Sequence, residues 1–327
     1  MRVFFQKNML PVVLLMSFVV SKGQQRVQFS QYMLNQYVLN PAVAGIDDAF
    51  ELTLSYRKQW VDFDGGPMTY YFSGNVPYKP NKRPDRKKQE AAFHAFGLIA
   101  YKDRAGPVSK LTSMGSYAYN MPVTKKHRLA LGAFIGITDM RLDYNLLKFD
   151  QEGEVLNYPR ITVPDGSLGL WFYNVDFYIG ASANQIFYNP VRFIGADGIG
   201  HLVLHYYITS GVRIPLQAVG PGGRNGRYLA PSIMLKYGGW GTMPSADVNL
   251  RMFLTDLFWI GTSCRLMDSQ VFFAGIKWKM KTNGIMEFAY SYDLTYTKIS
   301  AYTSGSHEIT LKLYFYRTEL ICPSKFW

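Results

Sequence analysis

Residues 28–77 read QFSQYMLNQYVLNPAVAGIDDAFELTLSYRKQWVDFDGGPMTYYFSGNVP, and the pattern of their second half decides the fold. From Leu52 onward, Leu52, Leu54, Tyr56, Lys58 and Trp60 fall on one face of an extended chain. Glu51, Thr53, Ser55, Arg57 and Gln59 fall on the other. Period two marks a strand, and the polar face is too regular for a strand buried on both sides. After the turn VDFDGGP (61–67), MTYYFSGNVP runs back as the second arm of a hairpin. The first half, 28–48, has no such period. It passes for a helical turn that Asn40-Pro41 stops, and Ala42, Ala44 and Gly45 read as a close turn. A segment of this kind is expected to tuck against, or into, the mouth of the domain that follows.

Downstream the strand pattern repeats. AFHAFGLIAYKD (92–103), LTSMGSYAYNMPV (111–123) and LALGAFIGITDM (129–140) alternate, the last with Leu129, Leu131, Ala133, Ile135 and Ile137 on one face. Residues 143–168 read as a long polar connection, and 169–187 as a tight hairpin around Asn174. HLVLHYYITSGVRIPL (201–216) follows a Gly/Asn loop, and six more strands run from Tyr228 to Arg317. The total is fourteen, mostly of a length suited to a tilted membrane strand.

Composition agrees. Charged residues are 18% of the chain against roughly 25% in soluble domains, while 24 Tyr and 22 Phe dominate the aromatics. The N-terminus, MRVFFQKNMLPVVLLMSFVVSKG, has a basic start, a short apolar core and small residues near a cut, the layout of a secretory signal peptide over 1–23. Removing Arg2, Lys7 and Lys22 with it lowers the formal charge from +12 to +9. No later stretch is long and apolar enough for a helical span. An exported chain of alternating aromatic strands leaves a transmembrane barrel or a secreted soluble β-sandwich. In lipid, only helices and closed barrels satisfy the backbone.

The expectation is therefore an all-β, antiparallel transmembrane β-barrel of about fourteen strands over 49–317. The segment 24–48 precedes it at the periplasm or in the lumen, and a C-terminal tail follows at 318–327. An even strand count puts both termini on one side, taken as periplasmic. The longer connections 143–168, 187–200 and 295–306 then fall outside. Tyr56, Trp60, Trp171, Tyr206, Trp278, Tyr290 and Tyr292 are candidates for the outward aromatic girdles.

Chemistry has little purchase on this chain. Two cysteines, Cys264 and Cys322, make no disulfide framework. His201 and His205 lie about 13 Å apart on a strand, too far to share a metal. The acid pairs Asp47/Asp48 and Asp62/Asp64 lack the spacing of a calcium loop. Nucleophile and zinc-protease motifs are absent. Neither enzymatic activity, a cofactor, a metal nor a nucleic-acid partner is expected. The basic run YKPNKRPDRKKQEA (78–91) carries Lys79, Lys82, Arg83, Arg86, Lys87 and Lys88. It reads as a solvated loop, or as a docking site for an acidic periplasmic partner or lipid headgroups. The lumen remains open to three uses: a porin-like channel, a plugged barrel, or a scaffold.

QFSQYMLNQYVLNPAVAG, SYRKQWVDFDGGPMTYYFSGNVP, GHLVLHYYITSGVRI and MEFAYSYDLTYTKISAYTSGSHEITLKLYF also resemble a family, PorP/SprF, across the mature chain. The recurrent positions matched are Gln28, Phe29, Ser30, Gln31, Tyr32, Asn40, Pro41, Ala42, Gly45, Tyr56, Arg57, Gln59, Trp60, Phe63, Gly65, Pro67, Thr69, Ser304, Gly305, Ser306 and His307. The resemblance implies an outer-membrane protein of the type IX secretion system in Bacteroidota, without catalytic residues. It implies export or surface retention of a large adhesin carrying a type B C-terminal domain, in gliding motility or secretion. Its partners would be that domain, other secretion components of the periplasm or outer membrane, and outer-membrane lipid. The chain departs from the pattern at Val43, where an aromatic is usual, and in its tail TELICPSKFW.

Overall fold

The computed structural model describes residues 27–79, 91–143, 146, 160–187, 190–192, 199–216, 227–238, 244–266, 268–281 and 283–316. Its strands are β1 (Ala49–Lys58), β2 (Met68–Tyr78), β3 (Phe93–Ala105), β4 (Val108–Pro122), β5 (Arg128–Leu142), β6 (Arg160–Tyr173) and β7 (Phe177–Asn184). A two-stranded ribbon follows, β8 (Pro190–Arg192) and β9 (Ile199–His201). Then come β10 (His205–Val212), its short continuation β11 (Ile214–Pro215), β12 (Tyr228–Tyr237) and β13 (Ser245–Phe253). The chain ends in β14 (Phe258–Arg265), β15 (Ser269–Met280), β16 (Gly284–Thr295) and β17 (Ser306–Tyr316).

Neighbours in sequence pair antiparallel all the way round. Between β7 and β12, β10 bridges the ribbon's excursion, and β1 closes on β17 from Ala49↔Tyr316 to Lys58↔His307. With β10 and β11 taken as one interrupted strand, the result is a closed barrel of fourteen strands. Closure removes the free edges that an open sheet would expose. Both ends of the described barrel lie at one rim, called here the terminal rim; the other is the far rim. No helix among the described residues is long and apolar enough to cross a membrane.

The alternation is inside-out relative to a soluble protein. On β1, Glu51, Thr53, Ser55 and Arg57 are buried, while Phe50 and Leu54 are exposed. On β5, Ile135 and Ile137 are exposed and Ala130, Phe134 and Thr138 are buried. An apolar outer face and a polar, filled interior fit a wall with lipid outside it.

Three expectations need correction. The stretch 160–168 is strand, because β6 pairs β5 from Arg141↔Arg160 through Phe134↔Ser167; the connection shrinks to 143–159. The strand expected from residue 201 begins at His205, with Leu202 buried ahead of it. Trp171 faces the lumen, 1% exposed and stacked on Tyr178 at 4.7 Å, because its register on β5 opposes buried Ala130. The remaining girdle candidates fare better. Trp278, Tyr206 and Tyr290 are exposed on the wall, while Trp60 sits in a turn against Phe63.

Candidate functional site

The lumen is filled by the chain's own N-terminal segment. Phe29 to Ala42 are buried without interruption, and Ala44, Gly45 and Ile46 are buried after them. Gln36–Leu39 form one helical turn; Asn40 leaves it in extended conformation, and Pro41–Val43 form a 3-10 turn. Asn40-Pro41 thus ends the helix as its chemistry requires. Phe29, Tyr32, Met33, Leu34, Tyr37 and Val38 share an apolar cluster with wall residues Tyr71, Tyr101, Phe134, Trp259 and Phe273. Phe29 meets Tyr71 edge-on at 5.5 Å, and Tyr37 packs on Phe134 at 5.2 Å.

At the far end of the lumen the anchoring is ionic. Arg57 donates to Asp293 Oδ2 at 2.8 Å, lies 3.5 Å from a Glu308 oxygen, and donates to the Gln28 carbonyl at 2.5 Å. Ser30 completes the knot. Its N–H donates to Glu308 at 2.7 Å and its hydroxyl to Asp293 at 2.5 Å. Gln31 Nε2 donates to the Glu308 carbonyl at 2.9 Å. Arg265 lies 3.8 Å from Asp293 and 3.7 Å from Asp247, which also takes Lys236 at 2.7 Å. Charges this deeply buried persist only when paired.

Toward the terminal rim the anchoring is close packing and backbone capture. Asn40 Nδ2 donates to the carbonyls of Leu170 and Ala181, each at 3.1 Å, while its Oδ1 takes the Ala42 N–H at 3.0 Å. Ser182 and Asn184 donate to the Leu39 carbonyl at 2.7 and 3.1 Å. At Gly169 and Gly132 the wall carries no side chain, and the segment lies directly against its backbone. A Cβ at Gly169 would sit 2.0 Å from Asn40 Oδ1, and one at Gly132 2.5 Å from Ala42 N. Gly45 adopts φ +71°, which glycine reaches without strain, and donates to Asn75 Oδ1 at 2.8 Å. Val43, where an aromatic is usual, is partly buried against the same packing.

Just above the terminal rim, Asp47, Glu51, Glu287, Arg251, Lys277 and Lys312 line a cavity of about 30 Å³, room for a water molecule. Lys312 bonds Glu51 at 3.0 Å and the Leu34 carbonyl at 3.0 Å. Desolvation, then the Glu51 charge, push the Asp47 carboxyl up to about 8. Gln28 lies level with Arg57, near the far end of β1, and Asp48 leads into its terminal end. The segment therefore runs the length of the lumen.

The two ends of the recurrent sequence pattern meet at the far rim. In the β1–β2 turn, Val61 N–H donates to the Gly305 carbonyl at 2.9 Å, and Ser304 N–H returns to Val61 at 3.0 Å. Trp60 N–H donates to Ser306 Oγ at 3.1 Å, and the Ser304 hydroxyl bonds Asp62. Gly305, at φ +98°, is where the β16–β17 connection bends into this contact. Gln59 N–H donates to the Pro67 carbonyl at 2.8 Å, Gly65 accepts from Gly106 N–H at 3.0 Å, and Trp60 meets Phe63 edge-on. Tyr56 and His307 lie on the outer face, where His307 pairs with the Tyr290 hydroxyl at 2.6 Å.

Of the six basic residues singled out, Lys79 bonds Asp48 at 2.7 Å, beside the end of the luminal segment. Lys82, Arg83, Arg86, Lys87 and Lys88 lie outside the described residues, as do His201's side chain, Cys322 and the tail. Cys264 is a free thiol. Among the described residues, no three metal-ligating side chains come together. The luminal partners Asp293, Glu308, Ser182 and Asn184 had no motif to announce them; their only signal was a polar residue at an inward position.

Fold and interior together define a plugged β-barrel membrane protein. Solved structures with the same fold include the Ralstonia pickettii toluene transporter TbuX, at TM-score 0.53 and 11% identity, covering 85% of this chain and 92% of that one. The Pseudomonas putida toluene transporter TodX is similar at TM-score 0.50 and 11% identity, covering 88% and 94%. No curated protein matches the chain. A family model matches residues 21–313, and the chain belongs to that family, the type IX secretion system membrane proteins PorP/SprF. It is accordingly an outer-membrane component of that system.

Proposed function

We propose that this barrel is a non-enzymatic anchor that assists export or surface retention of a large adhesin bearing a type B C-terminal domain. On this reading it supports gliding motility or secretion in a member of the Bacteroidota. The filled lumen carries the reading. A barrel packed from end to end with its own chain has rims and loops to offer, not an open pore. With the terminal rim at the periplasm, the 78–91 loop meets the secretion machinery there. The far-rim connections 143–159 and 185–204 meet the adhesin outside.

The test is deletion of 143–159 and of 188–200, singly and together, in cells. Each deletion lowers adhesin retention while heat-modifiable migration shows that the barrel still folds. Undiminished retention in the double deletion overturns the proposal. Planar-bilayer recordings of the purified barrel are expected to be silent, and a large steady conductance returns the channel reading. Neutralising Lys82, Arg83, Arg86, Lys87 and Lys88 is expected to lose periplasmic partners in pull-downs.

A further inference from the structure

The outer wall carries a feature that adhesin retention does not require. One register row crosses β1 to β6 at the far rim: Lys58↔Met68, Met68↔Arg104, Arg104↔Ser109, Ser109↔Arg141 and Arg141↔Arg160. Four of its six outward positions are cationic, and all four are exposed. At about 4.8 Å per strand, the row spans roughly 24 Å of the barrel's circumference. Lys102 adds a fifth cation one row nearer the membrane. Asp139, the acid bonded to the row, is saturated: Arg160 bonds one oxygen at 2.7 Å, Arg141 the other at 3.0 Å, and Thr162 donates at 2.9 Å. Lys58, Lys102 and Arg104 have no carboxylate partner among the described residues. Near the far-rim ends of β10 and β12 to β16, the outward residues Tyr206, Tyr237, Ala246, Cys264, Gln270 and Leu294 include no cation.

Below the β1–β3 part of the row, beneath Lys58 and Arg104, the wall is indented. A groove of about 460 Å³ runs between Leu54, Tyr70, Ala100, Leu111 and Leu311, with Lys102 on its edge. The indentation forms because Ala100, opposite Ser113, leaves a gap between larger side chains, and its lining is mainly apolar. We propose that this half of the barrel holds a phosphorylated lipid of the leaflet around the far rim. The headgroup phosphates lie along the cationic row and an acyl chain lies in the groove. Charge complementarity selects the occupant. Cations at headgroup depth above an apolar slot match an anionic amphiphile, and an acidic protein has no use for the slot.

The experiment compares wild type with a Lys58→Gln/Arg104→Gln/Arg141→Gln/Arg160→Gln variant, purified in detergent and checked for folding by heat-modifiable migration. Native mass spectrometry counts bound diphosphoryl lipid A and its dephosphorylated form. Wild type is expected to retain the diphosphoryl lipid and not the dephosphorylated one, with inorganic phosphate unable to displace it. The variant is expected to lose roughly tenfold or more in affinity. A second variant, Ala100→Phe, keeps every charge and fills the groove; it is expected to weaken binding without changing phosphate dependence. Equal retention of both lipids, or undiminished binding by the charge variant, overturns the proposal. So does displacement by free phosphate. A protein captured through the row with no lipid bound also overturns it.

Discussion

The luminal segment is held by charge at one end and by shape at the other. Around Gln28–Gln31, Arg57, Asp293 and Glu308 form a buried ionic knot whose members are far apart in sequence. Around Leu39–Gly45 the contacts are backbone carbonyls, Asn side chains and glycines that let two backbones touch. The first kind tolerates small displacements but no change of charge. The second tolerates neither added volume nor the loss of its backbone hydrogen-bond partners. A single plug thus has two failure modes, which substitutions can separate.

The largest effect is expected from Arg57→Leu. It strands Glu308 in the lumen, leaves Asp293 only the more distant Arg265, and lowers unfolding free energy by about 3–5 kcal/mol, read from urea midpoints in vesicles. Adding Asp293→Asn and Glu308→Gln to that variant removes the stranded charge and is expected to recover part of the loss. No recovery breaks the ionic half of the comparison. Next is Gly169→Val, whose Cβ collides with Asn40; overpacking is expected to cost about 1–3 kcal/mol. Asn40→Ala, which frees two wall carbonyls and the Ala42 N–H, follows at about 1–2 kcal/mol.

The smallest effect concerns Asp47. Its carboxyl, raised from 3.8 to about 8, keeps a proton in the folded chain that the unfolded chain releases. Its contribution is present below pH 3.8, falls as pH rises, and is gone above about 8. Asp47→Asn is expected to flatten the stability–pH curve across that window and to leave acid stability unchanged. A curve as steep as wild type's shows that other groups set the slope.

Much of the barrel was legible because lipid outside and polar filling inside impose period two on every strand. β1 and β5 show it most plainly. Where the period blurs, the reading failed. RITVPDGSLG places Pro164, Gly166 and small polar residues in β6, which look like loop chemistry until β5 supplies the ladder. Leu170 to Tyr173 are four consecutive apolar or aromatic residues, so only the register could send Trp171 inward. The luminal segment announced itself by having no period at all. Its direction through the barrel did not, because that depends on partners such as Glu308, 278 residues from Ser30.

The threading of that segment has a consequence for assembly. Residues made early in synthesis are enclosed by a wall whose last joint, β1 to β17, needs the final strand. A barrel that closed empty would have to draw buried polar groups through its length to reach this arrangement. The simplest order is a sheet that forms around the segment and zips shut last, with closure waiting on a loop of nearly the whole chain. The N-terminal segment is then the mandrel on which the barrel is built, and its loss would be felt first in the yield of closed barrels.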